Sequence, residues 1–457
     1  MIASSAALPL LWNHEVVATA DEVRASARRQ TSFGTWAIGL IVGLCFLSTE
    51  HNPSVSLHND FALTAEEMQS DAGGGNTVRR VAFFLIAATG VVAGLGTGGR
   101  WRTRPVMLAL LLAATIWPAL SIAWTDDFSL TLRRLIVFVF CVVGGWGLSR
   151  RLSPREYCAI AVCVCGASLG LGVLAEIAQG TFRPWSGGYR FAGTLHPNTQ
   201  GLYLTTLCLA SFALLKTGSR RRVVLTAALL IGVTFVVLTK SRTSTAGVLL
   251  GLGTLAFLRS RYPALPVLAA LFAGWGVAGM ALVGHVLQID LVSEIKQIAL
   301  MGRAEQAESL TGRLPIWTEL ARYVDERFWL GWGYEAFWTP DRIDRVSTAV
   351  EWGVREAHSA YLETILSVGA VGLALLLALV TGGLLRGAWQ FRIADDPRAG
   401  CVCALLTYGL LNSFTESGMT MPLFPTFWLG VGLWSLTRDR LCPSDPIPVK
   451  SSSALAI

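Results

Sequence analysis

Long apolar runs, each ended by a short cluster of charged or turn-forming residues, recur from residue 34 to residue 437. About 20 helical residues cross the roughly 30 Å of a bilayer's hydrocarbon core. That length places spans near 34–49, 81–98, 105–124, 132–149, 157–178, 199–215, 223–239, 244–258, 263–286, 358–385, 400–416 and 421–437. The seventh and eighth are short and nearly contiguous. One segment, 287–357, breaks the rhythm. Within it, residues 313–326 read as an amphipathic helix with Ile316, Trp317, Leu320 and Tyr323 on one face. The segment carries too many apolar and aromatic residues for a plain linker, so a folded, partly helical loop is expected. The pattern predicts an all-α polytopic membrane protein of about twelve helices. Its bundle covers 34–437, flanked by a segment 1–33 and a tail 438–457. The opening MIASSAALPLLW has no basic region before it, so it does not read as a signal peptide.

Composition agrees. Apolar residues make up 53% of the chain and charged residues 15%, with a mean hydropathy of +0.53; a soluble domain carries about a quarter charged residues. The net charge of +7 is explained by orientation. With both termini cytoplasmic, the inner segments hold 21 of the 37 Lys and Arg residues, among them Arg100, Arg102, Arg104, Arg150, Arg151, Arg155, Arg259, Arg386, Arg398, Arg438 and Arg440. Eight more lie in the long loop, which such counting weighs little. Inner-membrane placement with 287–357 in the periplasm follows, and nothing in this basic charge calls for nucleic acid. Eight of the nine cysteines fall within spans and Cys442 in the tail, so none is placed for pairing in an oxidising compartment. Cys163/Cys165 and Cys401/Cys403 lack zinc spacing, and His196, His285 and His358 are scattered, so no metal is expected.

Ionisable residues at bilayer depth mark function, and here they avoid the midplane. Glu176, Glu363 and Glu416 sit near outer ends, which weakens a transporter reading. The unusual polar residues gather at the outer boundary. Trp124-Thr125-Asp126-Asp127 lies between spans three and four, where capping and belt roles compete with chemistry. Arg190-Phe191-Ala192-Gly193-Thr194-Leu195-His196-Pro197-Asn198 opens span six; Pro197 suits a helix start, but Arg190 and His196 are unexplained by it. Lys240-Ser241-Arg242-Thr243-Ser244 forms a tight outer turn. His358-Ser359-Ala360-Tyr361-Leu362-Glu363 opens span ten, with His358 and Tyr361 placed on one helix face by their spacing. The long loop adds Gly312-Arg313 with Trp317, and Gly331-Trp332-Gly333, whose glycines suggest a turn or close backbone approach.

In this order, these stretches resemble the O-antigen ligase and polymerase superfamily of bacterial envelope glycosyltransferases, over roughly residues 110–430. One departure is Ser359, where many members have Asn. The resemblance implies a GT-C-like helical fold and a glycan donor linked to undecaprenyl diphosphate. It also implies a sugar-hydroxyl acceptor, on lipid A–core or on a growing glycan, at the periplasmic face, and no cofactor. The chemistry is compatible with these residues. A diphosphate leaves readily, so the site must neutralise about two negative charges and take a proton from the acceptor. Arginine binds phosphate oxygens through a fixed fork; histidine has a pKa suited to a base. The expected assignment is Arg242 and Arg313 on the diphosphate, Arg190 as a third phosphate contact, and His358 as catalytic base. Asp126, His196, Asn198, Trp317 and Tyr361 would support them. A flippase of lipid-linked glycans and a non-catalytic scaffold are the readings to be distinguished from this.

Overall fold

The computed structural model describes residues 33–51, 77–95, 101–215, 221–261 and 310–440. Among them, helices α1 (Phe33–Glu50), α2 (Thr77–Leu95), α3 (Pro105–Leu120), α4 (Phe128–Arg151), α5 (Pro154–Ala178), α6 (Pro197–Leu215), α7 (Arg222–Leu238) and α8 (Arg242–Arg259) follow the expected spans in order. They are followed by α9 (Leu310–Glu326), α10 (Pro340–Val350), α11 (Ala360–Ala394), α12 (Pro397–Asn412) and α13 (Phe424–Leu436). The expected span 263–286 lies outside the described residues, as does 287–309 of the loop. Among the described residues, six helices (α1, α2, α3 with its short extension to Ala123, α4, α5 and α11) are long and apolar enough to cross a membrane.

Their ends follow local chemistry. Ser153 and Glu156 close a reciprocal capping box on α5, and Asp127 accepts from the Leu130 amide at the start of α4. Inside the bundle, α6, α12 and α13 are buried almost all round. The outer helices keep one apolar face uncovered, with Leu40, Val92, Val106, Leu174 and Leu230 all more than half exposed. A helix apolar on all sides is a core helix, and an exposed apolar stripe faces lipid. Small residues set the closest approach: a Cβ on Gly147 would lie 1.7 Å from the Gly90 carbonyl oxygen, so α4 and α2 touch backbone to backbone.

α11 differs from its expected span 358–385. It begins at Ala360, runs to Ala394, and is broken at Gly369, whose φ of 72° lies in the left-handed region. The carbonyls and amides freed there are taken by the loop. Trp332 N–H donates to Leu366 O at 2.8 Å, Gly333 N–H to Ser367 O at 2.9 Å, and Ala370 N–H to Phe328 O at 2.8 Å. Non-helical backbone is tolerated at such a place only when protein satisfies it. Gly331 is itself at φ 68°, and a Cβ on it would meet the Gly369 amide at 2.7 Å. The close backbone approach expected of these glycines is therefore what they do.

The loop is folded. Ile316 and Leu320 of α9 are fully buried with Phe337, Ile343, Val346 and Val354 in a core of their own, with Trp317 and Tyr323 packed against it. At the opposite end of the bundle, the segments expected on the inner side converge. The short strands β1 (Trp101–Thr103) and β2 (Arg438–Arg440) pair antiparallel, and Arg398 reaches Leu152 O.

Candidate functional site

The end of the bundle beneath the loop holds a chain of polar contacts drawn from five segments. Glu176, buried in α5, accepts from the amides of Ala192 (3.0 Å) and Gly193 (2.7 Å), fixing the segment before α6. Gly193 has φ 62° and lies against Gly172, where a Cβ would come within 2.7 Å of its Cα; only glycine fits. Thus held, Arg190 donates through Nε to Thr239 O (2.7 Å), in the turn after α7, and through Nη2 to Asn198 Oδ1 (2.8 Å), at the start of α6. Asn198 Nδ2 donates to Glu416 Oε1 (2.7 Å), between α12 and α13, and Arg313 Nη2 of α9 donates to the same oxygen (2.7 Å).

Glu416 is therefore where the loop, α6 and the α12–α13 connection meet. Burial pushes its carboxyl up, while Arg313, His358 and Asn198 pull it down; it stays above the usual carboxylate range. Along the chain Glu416 is one of few carboxylates near a span's outer end, and nothing in its local sequence assigns it a role. Its two companions explain why that signal alone was ambiguous: Glu176 holds backbone amides, and Glu363 accepts from Trp338 Nε1 and the Ala357 amide.

His358 sits beside this hub, half-buried, with its Nδ1 3.3 Å from Glu356 Oε1 and its ring stacked over Trp352. Its φ is 50°, a conformation that costs a non-glycine residue energy and persists only where the surroundings impose it. They do so on both sides. Trp317 Nε1 donates to Ala357 O (2.8 Å) and the Ala357 amide to Glu363. Ser359 Oγ donates to Ser413 O (3.1 Å), and the Ala360 amide to Ser413 O and Glu416 O. Ser359 also caps α11, so serine fills the capping place here. Burial lowers the pKa of His358, as does Arg313, against an opposing pull from Glu416, so the imidazole is neutral at pH 7.

The expected shared helix face for His358 and Tyr361 is corrected by this geometry. The helix starts only at Ala360, and Tyr361 turns to α12, where its hydroxyl donates to Leu410 O (2.7 Å). Asp126 is also elsewhere. It binds Arg327 (2.6 Å) and Arg342 (2.7 Å), whose guanidiniums lie over the Trp332 ring, and Asp127 rather than Asp126 caps α4. Those two arginines hold the Asp126 carboxyl below its ordinary value despite partial burial, which raises it. Asp126 and Trp317 thus fasten the loop rather than reach the hub.

His196 is exposed at the mouth, with the Asn198 amide donating to its Nδ1 (3.3 Å). Arg242 opens α8, three residues after Thr239, which anchors Arg190, and Gly201 of α6 packs on Ser244 one turn below. Arg242 is half-buried and has no hydrogen bond or ion pair among the described residues. The hub therefore gathers Arg190, Asn198, Arg313 and His358, adds Glu416 and Glu356, and borders on His196 and Arg242.

Against known proteins, residues 225–377 match the family model described as O-antigen ligase. That stretch runs from α7 past the break at Gly369 in α11, and so contains Arg242, Arg313 and His358. The resemblance to the O-antigen ligase and polymerase superfamily holds on it. A search of curated proteins gave no match.

Proposed function

We propose, from the O-antigen ligase match of residues 225–377 as premise, that this membrane protein transfers a glycan from undecaprenyl diphosphate to a sugar hydroxyl at the periplasmic face. The observation that carries the reading is the convergence of Arg313, Asn198 and His358 on Glu416 at one end of the bundle. Arg242 is available to the donor diphosphate, since no carboxylate among the described residues claims it. Arg313 joins it by exchanging part of its contact with Glu416 for phosphate oxygens, and Arg190 adds positive charge from behind Asn198. His358 takes the acceptor proton. With Nδ1 facing Glu356 Oε1 at 3.3 Å, a proton held on Nδ1 leaves Nε2 the lone pair that the hydroxyl proton requires. The acceptor oxygen bonds to the anomeric carbon as the bond to the diphosphate breaks, and the polyprenyl diphosphate leaves on the arginines. The acceptor is lipid A–core for a ligase or a growing glycan for a polymerase.

Reconstituted transfer tests this. Purified protein given lipid-linked glycan and acceptor should form a new glycosidic bond, and Arg242→Ala, Arg313→Ala and His358→Ala should each suppress it. Transbilayer movement of the donor with no bond formed would instead establish a flippase.

A further inference from the structure

At the end of the bundle away from Glu416, four arginines from four segments crowd onto two carboxylates. Arg104 Nε donates to Asp439 Oδ2 (2.6 Å), and Arg386, only 4% exposed, donates to the other oxygen of the same carboxylate. Behind them, Arg398 lies 3.3 Å from Asp396, and Arg438, 9% exposed, has Ser149 Oγ as its partner (2.6 Å). Among these groups the positive charges outnumber the negative by two. The buried Nε and Nη1 of Arg386, and the Nε of Arg398 and of Arg438, have no acceptor among the described residues. Uncompensated buried charge is costly, and burial, with Arg150 and Arg398 nearby, pushes Arg438 down to about 9.

The exposed side of this cluster is apolar. Leu385, Trp389 and Ile393 follow at i, i+4 and i+8 on α11, exposed by 69%, 37% and 38%, and Val106 on α3, which packs against α11, is 73% exposed. The Trp389 ring carries both guanidiniums, Arg386 at 4.4 Å and Arg104 at 5.5 Å from its centre. Arg104 keeps about a quarter of its side chain exposed. Excess positive charge on an interfacial tryptophan, above a lipid-facing stripe, matches a phosphate headgroup and its acyl chains together. A free anion would have no use for the stripe.

We propose that the α3–α11 groove at this end of the bundle binds an anionic phospholipid, with its phosphate against Arg104 and Trp389 and with Arg386 supplying charge from behind. The site lies on the helix whose other end places His358, and it is independent of the transfer reaction.

The full-length protein, purified in zwitterionic detergent, is titrated with phosphatidylglycerol, phosphatidylcholine or inorganic phosphate. Retained lipid is counted by native mass spectrometry, and Tm is recorded. Phosphatidylglycerol should be retained and raise Tm, with phosphatidylcholine and inorganic phosphate having little effect. Arg386→Gln breaks a buried ion pair, so Arg104→Gln and Trp389→Leu, which leave Arg386 on Asp439, carry the test. Arg104→Gln should lower phosphatidylglycerol occupancy about fivefold, the effect of one basic residue at an anionic surface; the exposed Arg345→Gln, in the loop, should not. Equal occupancy in the Arg104 and Trp389 variants and the unaltered protein overturns the proposal. So does equal stabilisation by inorganic phosphate, which would identify a free-anion site.

Discussion

Glu416→Gln separates the charge of the hub from its hydrogen bonds. The amide oxygen still accepts from Asn198 and Arg313, both 2.7 Å away in the unaltered protein, so the framework should fold. Two things change. Arg313 loses a charge-assisted bond, on the order of 1.5–3 kcal/mol for a buried one; the pair is 26% and 13% exposed, so solvent screening reduces this towards about 1 kcal/mol. His358 loses the Glu416 charge that raises its pKa, while burial and Arg313 still lower it. Removal of a close opposite charge lowers the pKa of an imidazole. The sign is fixed: the folded pKa of His358 lies below its ordinary 6.5, and Glu416→Gln takes it lower. The acid limb of kcat/KM should therefore move to lower pH. The plateau should fall roughly three- to tenfold, because a less basic imidazole accepts a proton less well. The assay is transfer in proteoliposomes between pH 5 and pH 9, with matched amounts of correctly inserted protein. An unmoved acid limb, with a plateau within about twofold of the unaltered protein, would refute the coupling between Glu416 and His358.

Other perturbations test other links. His358→Ala should slow transfer by roughly 10²–10⁴-fold with donor binding little changed, and His358→Gln should be nearly as poor; a fully active Gln variant would remove the histidine from the chemistry. Arg242→Ala should cost roughly ten- to a hundredfold in transfer with little loss of Tm, since no described protein group depends on it, and Arg242→Lys should recover part of the rate. Gly147→Ala forces α4 from α2 and should lower stability by about 1–3 kcal/mol, seen as a reduced Tm, whereas Gly166→Ala, with nothing within 4 Å of the added carbon, should be neutral. In a cysteine-free background, a cysteine at the exposed Thr348 should react with an impermeant thiol reagent added to intact spheroplasts, and one at the exposed Arg392 should not; the reverse labelling would invert the orientation.

The sequence by itself determined the helical bundle. Apolar runs of membrane-crossing length can satisfy their backbone in lipid only as helices, so the spans at 105–124, 132–149 and 157–178 reappear as α3, α4 and α5. The amphipathic period of 313–326 likewise announced α9, because a 3.6-residue repeat encodes which face is buried. The order of arginine and histidine motifs also carried the resemblance to O-antigen ligases that the match of residues 225–377 supports. What pairs with what was decided by the tertiary structure. Glu176, Glu363 and Glu416 look alike along the chain, each a lone carboxylate near a span's end, yet two hold backbone amides and one holds Arg313 and Asn198. The left-handed turn at His358, which separates it from the face of Tyr361, is set by Trp317, Ser413 and Glu416, which are 41 to 58 residues away in the chain. The break at Gly369 exists because the loop's backbone arrives to satisfy it. Local periodicity carries information about a helix's own faces; the partner across a contact is fixed only when distant segments pack.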